Sequence, residues 1–350
     1  MAQCAAIDDA PQRDESPIKE LELDRRADSV IVPRMASQAD HEQSEIAEPS
    51  PDSRDSRRRS IFTRDVAARG ARVRFVETGD GPPLLLVHGY LGSHSVWDDA
   101  VDALSAHFRT LAPDLPGFGE SEKPPAARYP YNVDAFAESL ADLVASLELG
   151  RVVVCGHDLG GAVALTMAAR HPAMVERLVL VDPIVYPHKP DLYVRLASTP
   201  VLGPLAFKQL SGRGIFGRYF SRRNYSATHE AAAGRIDILF EAFNAPAARE
   251  AAYATLQSFT DTRALVALLP RVHAPSLVVW GRNDRLLPVA HGRRLSRELP
   301  HARLEIVDAG HSPHEELPVQ FAKIAHEFLA SGNAQGRSKS RPPRGRRDVP

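Results

Sequence analysis

The chain has 350 residues, 43% apolar and 25% charged, with a formal net charge of -1, which is enough to bury a sizeable core in one large domain or two modest ones. Near-neutrality removes any chain-wide electrostatic drive toward nucleic acid or a membrane surface. Its two cysteines, Cys4 and Cys155, make neither a disulfide framework nor a metal set. No run of ~18 apolar residues marks a membrane span and no secretory pattern opens the chain, so the expected address is cytoplasmic and the expected partner a small molecule.

Residues 1–60 are rich in Asp, Glu, Arg, Ser and Pro without a sustained apolar period, and such a segment cannot bury enough surface to offset its ordering entropy. It reads as a disordered leader. Residues 332–350 read likewise, as a basic tail. Between them, 61–183 and 271–331 alternate short β-branched runs with helical patterns, the signature of βαβ units and a mostly parallel sheet.

In chain order, strands are predicted at 71–77 and 84–87, a helix at 96–108 and a strand at 109–112. The turn-rich loop Asp114-Leu115-Pro116-Gly117-Phe118-Gly119-Glu120-Ser121 follows. Apolar residues at Phe136, Leu140, Leu143, Val144 and Leu147 give 132–149 a helical face. A strand at 152–155, a helix at 162–169 and a strand at 175–181 complete the first half. The alternation then stops over 184–270, with helices predicted near 231–243 and 247–259. It resumes as strand 276–280, helix 291–299, strand 304–307 and helix 319–330. An insertion at that point is placed to cover the carboxyl ends of the strands as a lid, where ligands bind in open α/β sheets.

The run Val152 to Cys155 breaks into Gly156-His157-Asp158-Leu159-Gly160-Gly161, which reads as strand, sharp turn and helix. A nucleophile elbow needs small residues two before and two after its apex, and Gly156 and Gly160 supply them. The apex is Asp158. After the strand at 84–87, His88-Gly89-Tyr90 can aim the Tyr90 N–H at the same space as the Leu159 N–H, an anion-stabilising pair. Asp284 stands just past one strand and His311, in Asp308-Ala309-Gly310-His311-Ser312-Pro313, just past the next. The order nucleophile, acid, histidine suits this topology. Asp182, also just past a strand, is an alternative acid, while His88 and Asp114 read as structural turn residues and Cys155 as a small core residue. The arginines Arg213, Arg218, Arg222 and Arg223 of the insertion read as a solvated face, with an acidic substrate as the other reading.

The chemistry of the apex narrows the reaction. A carboxylate is ionised at neutral pH without a base, but attack on a carbonyl would give an anhydride, whereas attack on a saturated carbon gives a stable alkyl ester. His311, oriented by Asp284, would then deprotonate the water that hydrolyses this ester, with the oxyanion on the Tyr90 and Leu159 amides.

Taken together, His88-Gly89, the loop from Asp114, Gly156 to Gly161, the Asp284 segment and Gly310-His311 resemble the α/β-hydrolase superfamily over about residues 61–331. The Asp apex is similar to its epoxide hydrolase and haloalkane dehalogenase branch. That resemblance implies an α/β-hydrolase fold with a helical lid and no cofactor, and it implies lid tyrosines as ring-opening acids. Tyr253 fits the spacing to Asp284, with Tyr193 and Tyr219 as candidate partners. Leu159, where halide-binding relatives often have Trp, points away from dehalogenation. Leu91 departs from the proline that the epoxide branch usually has after His-Gly-aromatic. Hydrolysis of an epoxide to a diol is the leading expectation. Halide displacement comes next, then carboxylester or lactone cleavage, and a ligand receptor without turnover is the non-enzymatic reading.

Overall fold

A computed structural model describes residues 61–331, apart from 189–191, 200–201, 228, 230, 233 and 260. The leader over 1–60 and the tail over 332–350 lie outside the described residues. Eight strands form one sheet in the order β1-β2-β4-β3-β5-β6-β7-β8: β1 Ile61–Ala68, β2 Ala71–Thr78, β3 Pro83–Val87, β4 Arg109–Pro113, β5 Val152–His157, β6 Val175–Val181, β7 Ser276–Gly281 and β8 Ala302–Val307. β2 pairs antiparallel with both β1 and β4, and every other neighbouring pair is parallel.

The central strands are apolar on both faces because helices cover both. All six residues of β5 are buried, as expected of a strand in a parallel sheet flanked on each side. α1 (Asp98–Leu104), α2 (Val133–Ser146), α3 (Leu159–Arg170), α10 (Val289–Glu298) and α12 (Pro318–Ser331) supply that cover. α2 starts where Asn132 Oδ1 accepts the Ala135 N–H at 2.8 Å, an N-cap that stops the chain extending backward. α3 is buried over ten of its twelve residues, so its small-residue sequence is a packing requirement.

Register brings the strand ends to one rim. Val87 pairs with Gly156, His157 with Val181, Val181 with Val279 and Gly281 with Val307, which sets the loops after β3, β5, β6, β7 and β8 side by side. Among the described residues between β6 and β7 run six α-helices, α4 Leu192–Ala197, α5 Leu202–Leu210, α6 Arg213–Asn224, α7 Arg235–Asn244, α8 Pro246–Ser258 and α9 Arg263–Leu268, and a 3-10 turn at Leu269–Arg271. A short α11, Pro313–Glu316, precedes α12. The insertion meets the rim directly, for Tyr90 Oη donates to the Ala252 carbonyl of α8 at 2.9 Å and Tyr225 Oη donates to Glu315 at 2.9 Å.

Three features depart from the sequence reading. β1 was not expected as a strand, because as an edge strand with residues 62–65 exposed it has no core face to mark it. The helix expected over 96–108 is a 3-10 turn, His94–Trp97, followed by α1. It ends early because the N–H groups of His107 and Phe108 both turn back to the Leu104 carbonyl. α4, α5, α6 and α9 are not expected from the sequence; α4 and α9 are only 6 residues long, and α6 buries only Phe216 and Phe220 among its arginines and glycines.

Candidate active site

Asp158 sits between β5 and α3 at φ 51 and ψ -114, a conformation strained for a residue with a Cβ. The surrounding glycines leave room for it. A Cβ on Gly156 would lie 2.3 Å from the Gly160 carbonyl oxygen, and one on Gly160 would lie 2.2 Å from the Val87 carbonyl oxygen. The close approach of β3, β5 and α3 at the turn therefore requires both residues to lack side chains.

The turn holds the carboxylate by its two oxygens in different ways. Oδ2 accepts the Tyr90 N–H at 2.9 Å. Oδ1 faces His311 Nε2 at 3.6 Å, an ion-pair separation longer than a hydrogen bond. Leu159 opens α3, so its N–H is one of the first-turn donors that have no acceptor within the helix. On the far side of the imidazole, His311 Nδ1 lies 2.8 Å from Asp284 Oδ2. Asp284 Oδ1 accepts the N–H groups of Leu286 at 2.7 Å and Leu287 at 2.8 Å. The structure therefore brings together Asp158, His311, Asp284 and Tyr90, all expected from the sequence, while Leu159, also expected, directly follows Asp158 at the start of α3.

Electrostatics follow this geometry. Burial pushes the Asp158 carboxyl up, but the His311 imidazole, the His157 ring and the Tyr90 amide outweigh it and hold the group at about 2. Burial opposes a charge on His311, yet the Asp284 carboxylate and the Asp158 carboxylate beyond it raise its imidazole well above the usual histidine range. These shifts favour a protonated His311 beside an ionised Asp158. Esterification of Asp158 would remove one negative charge, lower the His311 pKa and so leave more of the imidazole neutral and free to accept a proton.

His157 and Glu316 hold the histidine loop, and neither was singled out from the sequence. His157 Nε2 lies 2.8 Å from the His311 carbonyl oxygen. Glu316 Oε1 accepts the Gly310 N–H at 2.8 Å and the Ser226 N–H of the insertion at 3.1 Å. Only the general pattern of an acid a few residues past the histidine could have marked Glu316. His88 Nε2 accepts the Leu115 N–H at 3.0 Å, while the Asp114 carboxylate accepts N–H groups from His94 at 2.6 Å and Glu120 at 2.7 Å. Both residues brace the loops behind the site.

The tyrosines of the insertion are placed differently. Tyr253 follows Ala252 on α8, but its ring lies 5.6 Å from that of Phe207, with the Lys208 ammonium 5.1 Å away. The Tyr219 ring lies under the Arg223 guanidinium at 5.1 Å. Tyr193 falls on α4, and its side chain lies outside the described residues. The Trp280 indole N–H donates to the Leu287 carbonyl at 3.3 Å, so it is committed to the backbone. Leu91 takes φ 61, which a proline ring excludes; the departure from proline at this position is thus a difference in loop conformation.

Among the described residues, one group of possible metal-binding side chains gathers, Asp182, Asp284 and His311, with donor atoms within 4.8 Å of one another. Asp284 and His311 hydrogen-bond to each other, and Asp182 Oδ1 and Asp284 Oδ1 accept backbone N–H groups. No helix of the described residues is long and apolar enough to cross a membrane.

The alpha/beta hydrolase fold family matches residues 82–210 and 216–318. An uncharacterized protein of Mycobacterium tuberculosis is 33% identical over 276 residues, 74% of this chain and 79% of its own length. A 2-hydroxymuconate semialdehyde hydrolase of Pseudomonas sp. (strain CF600) is 28% identical over 289 residues, 77% of this chain and 95% of its own length. Among solved structures, the epoxide hydrolase CorEH superposes with a TM-score of 0.67 at 23% identity, covering 78% of this chain and 99% of its own, a likeness of fold alone. With a mostly parallel eight-stranded sheet, flanking helices and this match over both halves, the chain belongs to the alpha/beta hydrolase fold family.

Proposed function

We propose that the protein is a hydrolase acting through a covalent alkyl ester on Asp158, and that it opens epoxides to diols. The observation that carries this reading is the division of labour within one carboxylate. The oxygen on the Tyr90 N–H would become the carbonyl oxygen of the ester and then the oxyanion. Oδ1, facing His311, is the oxygen left to attack carbon. A side chain that must leave one of its own oxygens in the anion site suits displacement at saturated carbon, because the site is then loaded before substrate binds. In the second half-reaction, neutral His311, oriented by Asp284, removes a proton from water as that water adds to the ester carbonyl. The acid is released with the Asp158 oxygen left in the diol.

An epoxide differs from a halide in needing a proton for its leaving alkoxide. The Trp280 N–H is occupied and Leu159 stands beside the nucleophile, so the donors suited to a halide are lacking at these two positions. Tyr253 remains our first choice of acid, with Tyr219 or Tyr193 as its partner; α8 reaches the rim at Ala252. In this reading 184–270 acts as a lid over a core of 61–183 and 271–331. A second reading, cleavage at a carbonyl carbon, draws on the relative named for semialdehyde hydrolysis. A panel of terminal and internal epoxides, haloalkanes and short-chain esters separates the two. Diol formation is expected to exceed halide release and ester cleavage; ester cleavage as the dominant activity would replace the epoxide assignment.

A further inference from the structure

The two acids considered for the site, Asp182 and Asp284, both stand at the rim beside His311. Asp182 directly follows β6 at φ 41 and is wholly buried. Its own N–H donates to the Val279 carbonyl at 3.1 Å, and its Oδ1 accepts the Gly281 N–H at 3.0 Å. These two contacts, with the neighbouring strand β7, fix where its side chain can go. The donor atoms of Asp182, Asp284 and His311 converge within 4.8 Å, and Asp182 Oδ2 is a buried oxygen with no hydrogen-bond partner among the described residues.

Two buried carboxylates at this spacing do not both keep a charge without cost. The donors decide which one does. Asp284 accepts two backbone N–H groups on one oxygen and faces the imidazole with the other, whereas Asp182 has one N–H. A proton on Asp182 Oδ2 removes the like-charge contact and gives that orphaned oxygen a partner. Burial and the Asp284 charge both push the Asp182 carboxyl upward, which agrees with this assignment. The remaining charged or titratable groups around the pair come from four directions: Asp158 and His157 from the elbow, His188 from the start of the insertion, Arg223 from α6 and His291 from α10.

We infer that Asp182 is a neutral carboxylic acid that donates to Asp284, positions it against His311, and stands ready to ionise and take its place. Asp182 touches no reacting atom, so it is a positioning residue. The inference rests on the reading of Asp158, His311 and Asp284 as a catalytic set.

The test follows the His311 ring by nuclear magnetic resonance titration in the full chain, in the wild type, Asp182→Asn, Asp284→Asn and the double variant. Asparagine tolerates the positive φ and can still donate to Asp284. With a neutral Asp182, the Asp182→Asn variant leaves the His311 pKa within about 0.3 unit of wild type. Asp284→Asn lowers it by less than half as much as the double variant does, because Asp182 then ionises. A drop of about one unit or more in Asp182→Asn alone would mean a charged Asp182. A drop in Asp284→Asn equal to that in the double variant would mean no replacement, and either result overturns the inference. The titration requires no substrate. A series that comes out as expected in a protein that turns over none of the panel would leave the acid pair standing and remove the covalent reading.

Discussion

The loops at the carboxyl rim of the sheet and the helical insertion that meets them are built by different means. At the rim, main-chain groups define positions: the Tyr90, Leu286 and Leu287 amides hold carboxylates, and glycines at 156 and 160 admit no side chain. In the insertion, side chains pack on side chains. Phe216 lies against Phe220, Phe240 and Phe243, and Arg235 reaches Asp98, Asp99 and Glu315. Glycines at 156 and 160 therefore tolerate no side chain, whereas the insertion is held by side-chain packing; if the rim carries the proposed reaction, substrate preference is expected to vary in the insertion.

Substitutions that strike the rim should have the largest effects. Asp158→Ala is expected to abolish turnover, with a fall of at least about 10^4-fold in kcat, as for loss of a nucleophile in comparable sets. Asp158→Asn should begin as inactive and regain some activity with time as the amide hydrolyses. His311→Gln should stop only the second half-reaction. The expected result is one equivalent of substrate bound to the peptide carrying Asp158, seen by mass spectrometry, with steady-state turnover down about 10^3-fold or more. If this variant accumulated no ester and lost alkylation too, the separate roles given to the two residues would be wrong.

A change in the insertion should be milder and confined to one step. Tyr253→Phe is expected to slow alkylation about 10^2-fold, the low end for general acid catalysis, and to leave ester hydrolysis untouched in single-turnover kinetics. An equal slowing of both steps would instead assign Tyr253 to packing, in line with its contacts to Phe207 and Lys208.

The pH dependence sharpens the same contrast. In the free enzyme His311 is raised well above the usual range by two carboxylates. In the ester one of them is neutral, so the histidine loses its proton at lower pH than before. Below that pH the base is protonated, and hydrolysis should fall about tenfold per unit while ester accumulates in acid-quenched samples. The linked stability has its own sign. His311 gains its partner's favour in the folded state, so its contribution is present below the unfolded value and is lost as pH rises through the elevated folded value. Asp158, depressed to about 2, contributes above its unfolded value and loses that contribution as pH falls toward 2.

The smallest effect is expected where the insertion is tied to the core. Tyr225→Phe removes one hydrogen bond to Glu315, whose carboxyl is pushed up to about 7 by burial against the pull of Arg235 and Tyr225. It should cost about 1 kcal/mol in urea unfolding and leave the chemical steps unchanged.

The same division explains what the sequence made legible. Strand ends carrying Gly, His and Asp in fixed order expose backbone requirements as residue types, and so Asp158, Asp284, His311, Tyr90 and Leu159 could be picked out before any coordinates. β1 could not, because an edge strand with a polar exposed surface lacks alternation. α6 could not either, since two buried phenylalanines among arginines do not make a helical stripe. Glu316, which holds the Gly310 N–H, and the neutral role inferred for Asp182 depend on distances that form only in the folded chain, which no local pattern encodes. For the tyrosines, spacing alone selected Tyr253, and spacing does not specify which way a ring points.

The central claim is that the Asp158 carboxylate itself attacks carbon, and one turnover in heavy-oxygen water tests it most directly. With enzyme in excess, the account predicts a first diol containing no solvent oxygen, and one heavy oxygen in the peptide spanning Asp158. A first diol labelled from solvent, with that peptide unlabelled, would contradict it.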